Sequence, residues 1–561
     1  MGVPVLFPGA CPQLAKYFVV ESDIPKDTDG DSLPDCWEDG TLWDDGLPGI
    51  NYSGVWPEPD ANGKFPATLR DVTLCVETNG TSGFQAEECA SKTQKDIFVE
   101  VDFMQFHRPD PVAIGNVVTA FANAPAPTAN QPAYPGPIRL HVQIDEQIPH
   151  TTATALIPCT PAPALGDATF DGLKTQFFGT QAERSIPNGT NAKALASHYA
   201  LFVHNQPGTG NTSSGCSEVG GNDFMVSLGS WGIVTVGGVS HNVGTTDQQA
   251  GTFMHELGHN LGLRHGGDSN SNCKPNYQSV MNYTLQFSNT ITARPLDYSR
   301  LTLATLNEAS LVETTGVGAA PAALFTGKVA FGPQAGIPSK AVVATVNADD
   351  SIDWNRNGTV SATPVARDLN NLGIASCPAL PGTFPANAEI LTGFNDWISL
   401  DFNFRGSLDF AGGATSSIDE NIVEITLPEA LSLSRDVIDI KPADPNNTIG
   451  RGAATTIEVA MFSRRDDHGL LEFDARNLDP ATIVLRGTGN ATWTLPVKRN
   501  TQGKFQCSMR DVNHDGAADL VCQFDFAKNT VSVGDKSAVL EATTFDGTYD
   551  FHASDSIRVM P

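Results

Sequence analysis

The 561-residue chain has no run of 18 or more apolar residues, which argues against a membrane-spanning helix. Positive charge is scarce: 34 Lys and Arg face 63 Asp and Glu, for a net charge of −29. Nucleic-acid binding needs a basic stripe to neutralise phosphates, so that class of partner is excluded. None of the ten cysteines lies in a CxxC pair, and zinc-finger spacing is absent. The opening, MGVPVLFPGACPQL, lacks a basic segment followed by a long apolar core. If the protein is exported, its signal is expected to be gone from this sequence already.

What is present points outside the cell. Of the acids, 43 are Asp and 20 are Glu, and many Asp fall in clusters such as DTDGDSLPD and DVNHDGAAD. Aspartates interspersed with glycine suit calcium loops better than helix surfaces. Neighbouring cysteines suggest local bridges, Cys75 with Cys89 and Cys507 with Cys522, while Cys216 with Cys273 would brace the central region. Cys11, Cys36, Cys159 and Cys377 have no evident partner. Disulfides and calcium loops without basic patches together predict a secreted, extracellular protein. A monomer is expected.

A chain this long exceeds one ordinary core, so several domains are expected. Residues 1–90 are rich in Pro, Gly and Asp and read as a loop-rich region organised by a metal loop. DIFVEVDFMQF (96–106) and IRLHVQIDEQI (138–148) alternate like strands, with an amphipathic helix at 111–124 between them. HYALFVH (198–204) and DFMVSLGSW (223–231) read as further strands. Strand, helix, strand opens an α/β unit with a mixed, mostly parallel sheet, placed here at 91–320. Thr246 with Gln249 gives a capping-box signature for a helix stopping near Gly262, and a second helix is predicted at 301–314. Residues 315–345 read as surface loop or linker, and 321–435 as a loop-rich extension of the catalytic unit. From 436 to 561, strands and turns predict an all-β sandwich.

HELGHNLGLRH (255–265) carries the chemistry. His255 and His259, four apart, stack on one helix face and can share a cation. A straight helix would carry His265 about 9 Å further along the axis. Gly262 can adopt positive φ, end the helix and turn the chain back, so that His265 approaches the same metal. Three histidines leave a catalytic Zn²⁺ one open place for water. Glu256 projects toward that place, where it can take a proton from water and pass it to a leaving amine.

HELGHNLGLRH resembles the HExxHxxGxxH signature of the metzincin clan of zinc endopeptidases. SVMNY (279–283), whose Met281 lies sixteen residues past His265, looks like the Met-turn of that clan. The resemblance implies a metzincin-like catalytic fold over roughly 95–320, with Met281 as the floor beneath the histidines. Tyr283 matches the tyrosine that astacins and serralysins place near zinc, where it stabilises the oxyanion. Gly266 follows the third histidine, whereas astacins, serralysins and adamalysins place Glu, Pro and Asp there, so the family within the clan stays open. Metzincins bind the substrate backbone along an edge strand, and by position the candidate is 222–231.

Calcium is the second cofactor expected. DTDGDSLPDCWE sets Asp27, Asp29, Asp31, Asp35 and Glu38 at loop positions 1, 3, 5, 9 and 12, with the Leu33 carbonyl at position 7. Asp511, Asn513, Asp515 and Asp519 repeat part of this spacing, as do Asp353, Asn355 and Asn357. The sequence therefore predicts a secreted zinc endopeptidase acting on proteins or peptides. The competing expectation is a calcium-stabilised adhesion or scaffold protein with a non-catalytic zinc site; such a site would favour a fourth protein ligand over a base.

Overall fold

A computed structural model describes residues 27–33, 50–51, 72–73 and 90–560, apart from short interruptions and longer gaps at 160–167, 319–325 and 411–423. Cys11, Cys36, Cys75, Cys89, Asp35 and Glu38 lie outside the described residues.

The unit that carries the histidine motif is built on five strands: β1 (Asp96–Met104), β2 (Arg139–Ile148), β3 (Ser197–Phe202), β4 (Gly215–Ser217) and β5 (Asp223–Val226). Their order across the sheet is β2-β1-β3-β5-β4, parallel except for β4, which runs antiparallel to β5. Helix α1 (Pro111–Ala122) opens on a proline, and the Asp110 carboxylate accepts the Val112 amide as its cap. Helix α2 (Thr246–Asn260) carries the first two histidines of the motif. Asp110 also accepts the Thr246 hydroxyl, and its amide donates to the Gln249 side chain, which ties the starts of the two helices together.

Helix α2 is buried along its length from Gln248 to Asn260, because it runs through the core instead of over it. Ala250, Phe253, Met254 and Leu257 share one apolar cluster with Val99 and Val101 of β1 and Phe224 of β5. The segment from Leu372 to Leu433 adds Ile374, Trp397, Ile425 and Ala430 to this cluster, so the expected loop-rich extension completes the core of this unit.

Several expectations are corrected. The capping box of α2 is Thr245 with Gln248, one residue earlier than predicted. Residues 301–314 form no α-helix; only a single 3₁₀ turn begins at their end, Glu313–Thr315. Leu303, Leu306 and Leu311 instead enter a small core with Val329, Phe331 and Trp354, and Glu308 and Glu313 accept loop amides. The expected linker holds an antiparallel hairpin, β6 (Thr326–Gln334) with β7 (Ile337–Asn347), whose alternating Val329 and Phe331 are buried. Cys216 bonds to Cys159 and Cys273 to Cys377, in place of the predicted Cys216–Cys273 pair. Each true partner reaches its cysteine through the fold, beyond what chain proximity suggests.

Past helix α4 (Leu427–Leu433) the chain forms two four-stranded antiparallel sheets over one shared core. The first contains Ile438–Ile440, Thr455–Met461, Asp519–Phe526 and Cys507–Arg510; the second contains Thr494–Pro496, Val484–Gly487, Ser537–Thr543 and Asp550–Ser556. Cys507 and Cys522 face each other in register on adjacent strands and are disulfide-bonded.

Candidate metal centre and active site

Gly262 adopts φ +85° and ends α2, and the Leu263 amide donates back to the Gly258 carbonyl at 2.9 Å. The chain then doubles under the helix, bringing His265 to ring-centroid distances of 5.2 Å from His255 and 5.0 Å from His259. His255 Nδ1 donates to the Val280 carbonyl at 2.9 Å, and His259 Nδ1 donates to the Leu263 carbonyl at 2.7 Å. These bonds put a proton on Nδ1 of each ring and turn each Nε2 into the cluster, the nitrogen a metal would take.

A residue that sequence reasoning missed completes the group. Glu424, fully buried, places one carboxylate oxygen 3.1 Å from His255 Nε2 and the other 3.2 Å from Nε2 of both His259 and His265. With the rings neutral, the form that binds metal, bare Nε2 lone pairs would face carboxylate oxygens. Such an arrangement repels itself unless a cation sits at its centre. Nitrogen and carboxylate donors around a buried point are the donor set of zinc. Burial pushes His259 down to about 4, against the pull of Glu424, and lowers His265 as well; both are neutral imidazoles, the form that binds metal. Nothing in NIVEITLPEA signals Glu424, which lies 159 residues beyond His265.

Glu256 follows the first histidine on α2 and is fully buried, with neither carboxylate oxygen hydrogen-bonded. Its carboxyl packs on the backbone of Gly215 in β4: a Cβ there would fall 2.2 Å from Glu256 Oε1. Burial, and after it the charge of Glu424, hold the Glu256 carboxyl well above the usual carboxylate range.

The floor of the site is equally specific. A Cβ at Gly258, between the two helical histidines, would fall 2.4 Å from Met281 Sδ, so the missing side chain is what lets Met281 seat against α2. Asn282 caps the short helix α3 (Tyr283–Gln286), and its amide donates to the Lys274 and Tyr277 carbonyls, locking the turn. Tyr283 Oη lies 3.1 Å from His265 Nε2 and 3.3 Å from Glu424. Burial and then Glu424 keep its phenol well above its ordinary value, so it stays a protonated donor. Asn260 Nδ2 donates to Ser217 Oγ, the Glu218 carbonyl and the Asp223 carbonyl, which fastens the end of α2 to the sheet edge.

The strand expected to hold substrate is corrected too. β5 lies between β3 and β4, so its backbone is already paired on both sides. The sheet edge nearest Glu256 belongs to β4. The chain leading into β4 is paired with the segment that carries Glu424: Ser214 N donates to the Ile425 carbonyl at 3.0 Å, Leu427 N donates to the Thr212 carbonyl at 3.1 Å, and Ser213 faces Thr426 antiparallel.

The aspartate loops are built as amide cradles. Asp27, Asp29 and Asp31 each offer a carboxylate oxygen within 4.8 Å of the others, and both Asp29 oxygens are buried without a hydrogen-bond partner. Asp27 accepts the Gly30 and Ser32 amides, Asp31 accepts the Leu33 and Asp96 amides, and Lys95 donates to the Gly30 carbonyl. Asp511 accepts the amides of Asp515 and Gly516, Asn513 that of Asp515, and Asp515 that of Ala517, while Asp519 turns away to accept those of Val512 and Ser463. Asp353 and Asn355 both accept the Asn357 amide, and Asn357 accepts that of Thr359.

Among the described residues no helix is long and apolar enough to cross a membrane. No curated protein matches the chain. Residues 183–293, from ahead of β3 through the Met281 turn, match the reprolysin-type model described as metallo-peptidase family M12. That match, joined to the buried histidine cluster, supports a zinc-dependent metallopeptidase of metzincin type with an α/β catalytic fold.

Proposed function

We propose that the chain is a secreted zinc endopeptidase in which His255, His259 and His265 hold the metal and Glu256 is the general base. The observation that carries this reading is the Glu256 carboxyl, fully buried with both oxygens unspent and within electrostatic reach of Glu424, whose carboxylate meets all three converging imidazoles. Zn²⁺, when bound, supplies Lewis acidity that polarises a water and the peptide carbonyl. Glu256, its proton affinity raised by burial, accepts a proton from the attacking water at Oε1 or Oε2 and returns it to the departing amine nitrogen. Tyr283, a protonated phenol, donates to the oxyanion of the tetrahedral intermediate. The Val280 and Leu263 carbonyls hold the His255 and His259 rings in register, and Met281 packs on α2 at Gly258 between them.

Glu424 defines a closed state. Its segment adds to the chain entering β4 as an extended peptide would, and its carboxylate lies at the histidines. We read it as a self-inhibiting strap that substrate must displace. The same carboxylate also favours a second reading, in which Glu424 is a permanent fourth ligand of a structural zinc. Casein cleavage by Glu424→Ala separates the two. A latent peptidase is activated about ten- to hundredfold, the range expected when the open form is a 1–10% minority. A structural site stays inactive and loses zinc.

Calcium belongs to this proposal at Asp27, Asp29, Asp31, the Leu33 carbonyl, Asp35 and Glu38, where it would rigidify a loop-rich secreted protein. The buried, unpartnered Asp29 oxygens favour it there. The sets Asp511–Asp519 and Asp353–Asn357 are weaker candidates, because their oxygens are largely used by backbone amides.

A further inference from the structure

Three more histidines converge far from the α2 motif. β1 ends at Met104, β2 at Ile148 and β3 at Phe202, and these strands are neighbours running in one direction. His107, His150 and His204 follow those three ends by two or three residues each. The carboxyl ends of parallel strands are where open α/β sheets gather ligand groups, because the loops there converge on one edge. The rings meet at centroid distances of 5.2 Å (His107–His150), 5.1 Å (His107–His204) and 5.2 Å (His150–His204). His204 Nδ1 lies 3.3 Å from His107 Nε2, and one ring nitrogen from each residue falls within 4.8 Å of the other two.

The backbone is shaped to allow this. Phe106 adopts φ +71°, rare for a residue with a bulky side chain, and the His107 amide closes the turn onto the Met104 carbonyl at 2.8 Å. The Gln105 amide donates to the Ile148 carbonyl, which holds the end of β1 beside that of β2. On the other side, the Gly229 amide donates to the His204 carbonyl at 2.7 Å, and a Cβ at Gly229 would fall 2.3 Å from His204 Nδ1. Glycine at 229 is therefore what leaves room for the His204 ring. His107 is 1% exposed, His204 half-buried and His150 exposed, so the trio has a solid base and an open mouth.

We propose that His107, His150 and His204 form a second transition-metal site, distinct from the one on α2. Three imidazole donors with no carboxylate in the group select Zn²⁺ and its late first-row neighbours over Ca²⁺ or Mg²⁺. The exposed side leaves a coordination place for water or an outside ligand. Bound there, the metal cross-links the ends of three adjacent strands and pins the edge of the sheet.

The test uses the full chain, stripped of metal and titrated with Zn²⁺ in calcium-containing buffer, with bound zinc counted by mass spectrometry. Wild type should bind two equivalents and His150→Ala one; His150 is exposed, so this variant keeps the fold. His259→Ala should also bind one, and its melting temperature should still rise with Zn²⁺. The double variant His150→Ala/His259→Ala should bind none and show no such rise. Casein cleavage by His150→Ala should match wild type, which separates failure of this proposal from failure of the peptidase reading. One equivalent in the wild type and none in His259→Ala would overturn it, as would two equivalents retained by His150→Ala; the trio would then be a packed N–H···N hydrogen bond with stacked rings.

Discussion

His255, His259 and His265 span eleven residues of chain, whereas 97 residues separate His107 from His204. Both groups bring three rings to about the same mutual distance, 4.8 to 5.2 Å between centroids. One is built by helix periodicity and a glycine turn, the other by three parallel strands ending at one edge. Their surroundings differ as well. The first trio is sealed and has the Glu424 carboxylate against it, with Glu256 buried within reach of that charge. The second opens to solvent and has none in its cluster. Similar donors therefore suit different work: a base beside the metal serves hydrolysis, and its absence leaves a site that binds without a proton acceptor.

Removing a ligand from each trio should break the comparison most sharply. His259→Ala should reduce casein cleavage to background with loss of one zinc equivalent, while His204→Ala should lose the other equivalent and leave cleavage intact. Equal loss of cleavage in both would mean that the two sites act as one.

The glycines give a finer test. Gly258→Ala sets a methyl against Met281 Sδ at 2.4 Å, and overpacking of this kind costs about 1–3 kcal/mol, read by denaturant unfolding. Gly229→Ala sets a methyl against both the His204 ring and its backbone carbonyl, and should abolish the zinc equivalent held by His107, His150 and His204 while the one on α2 is kept. Unchanged stability in the first variant, or two equivalents in the second, would show that neither glycine is required.

The smallest effect concerns the 27–38 loop. Burial, opposed by Lys95 and aided by Asp27, raises Asp29 to about 6; burial and then Asp29 raise Asp31 to about 8. Acids raised in the folded state stabilise it below the unfolded value of about 4 and lose that contribution as pH rises through 6 and 8. Thermal unfolding in chelator should therefore fall between pH 4 and 8 relative to a calcium-loaded sample. Superimposable curves would remove calcium from this loop.

The contrast between the trios also explains how much of the molecule was legible in its sequence. The motif at 255–265, the turn at Met281 and the strands of the sheet are short-range patterns, set by i, i+4 geometry, a positive-φ glycine and alternation. Glu424, the second trio and the Cys159–Cys216 and Cys273–Cys377 bonds join residues tens to hundreds of positions apart, and no local pattern marks them. The helix expected at 301–314 failed for a related reason. Its leucines had the right spacing, but a second small core drew them in, and Glu308 and Glu313 found loop amides in place of helical neighbours. The strand expected at the sheet edge, 222–231, lies one position in from it, because an edge is a property of strand order and not of composition.

The central claim, that Glu256 is the base of a zinc peptidase, is tested most directly by casein cleavage with wild type beside Glu256→Gln, with bound zinc counted in both. The account predicts unchanged zinc and cleavage lower by roughly 10²- to 10⁴-fold, the usual contribution of a general base. Equal cleavage by the two proteins at equal zinc content would contradict it.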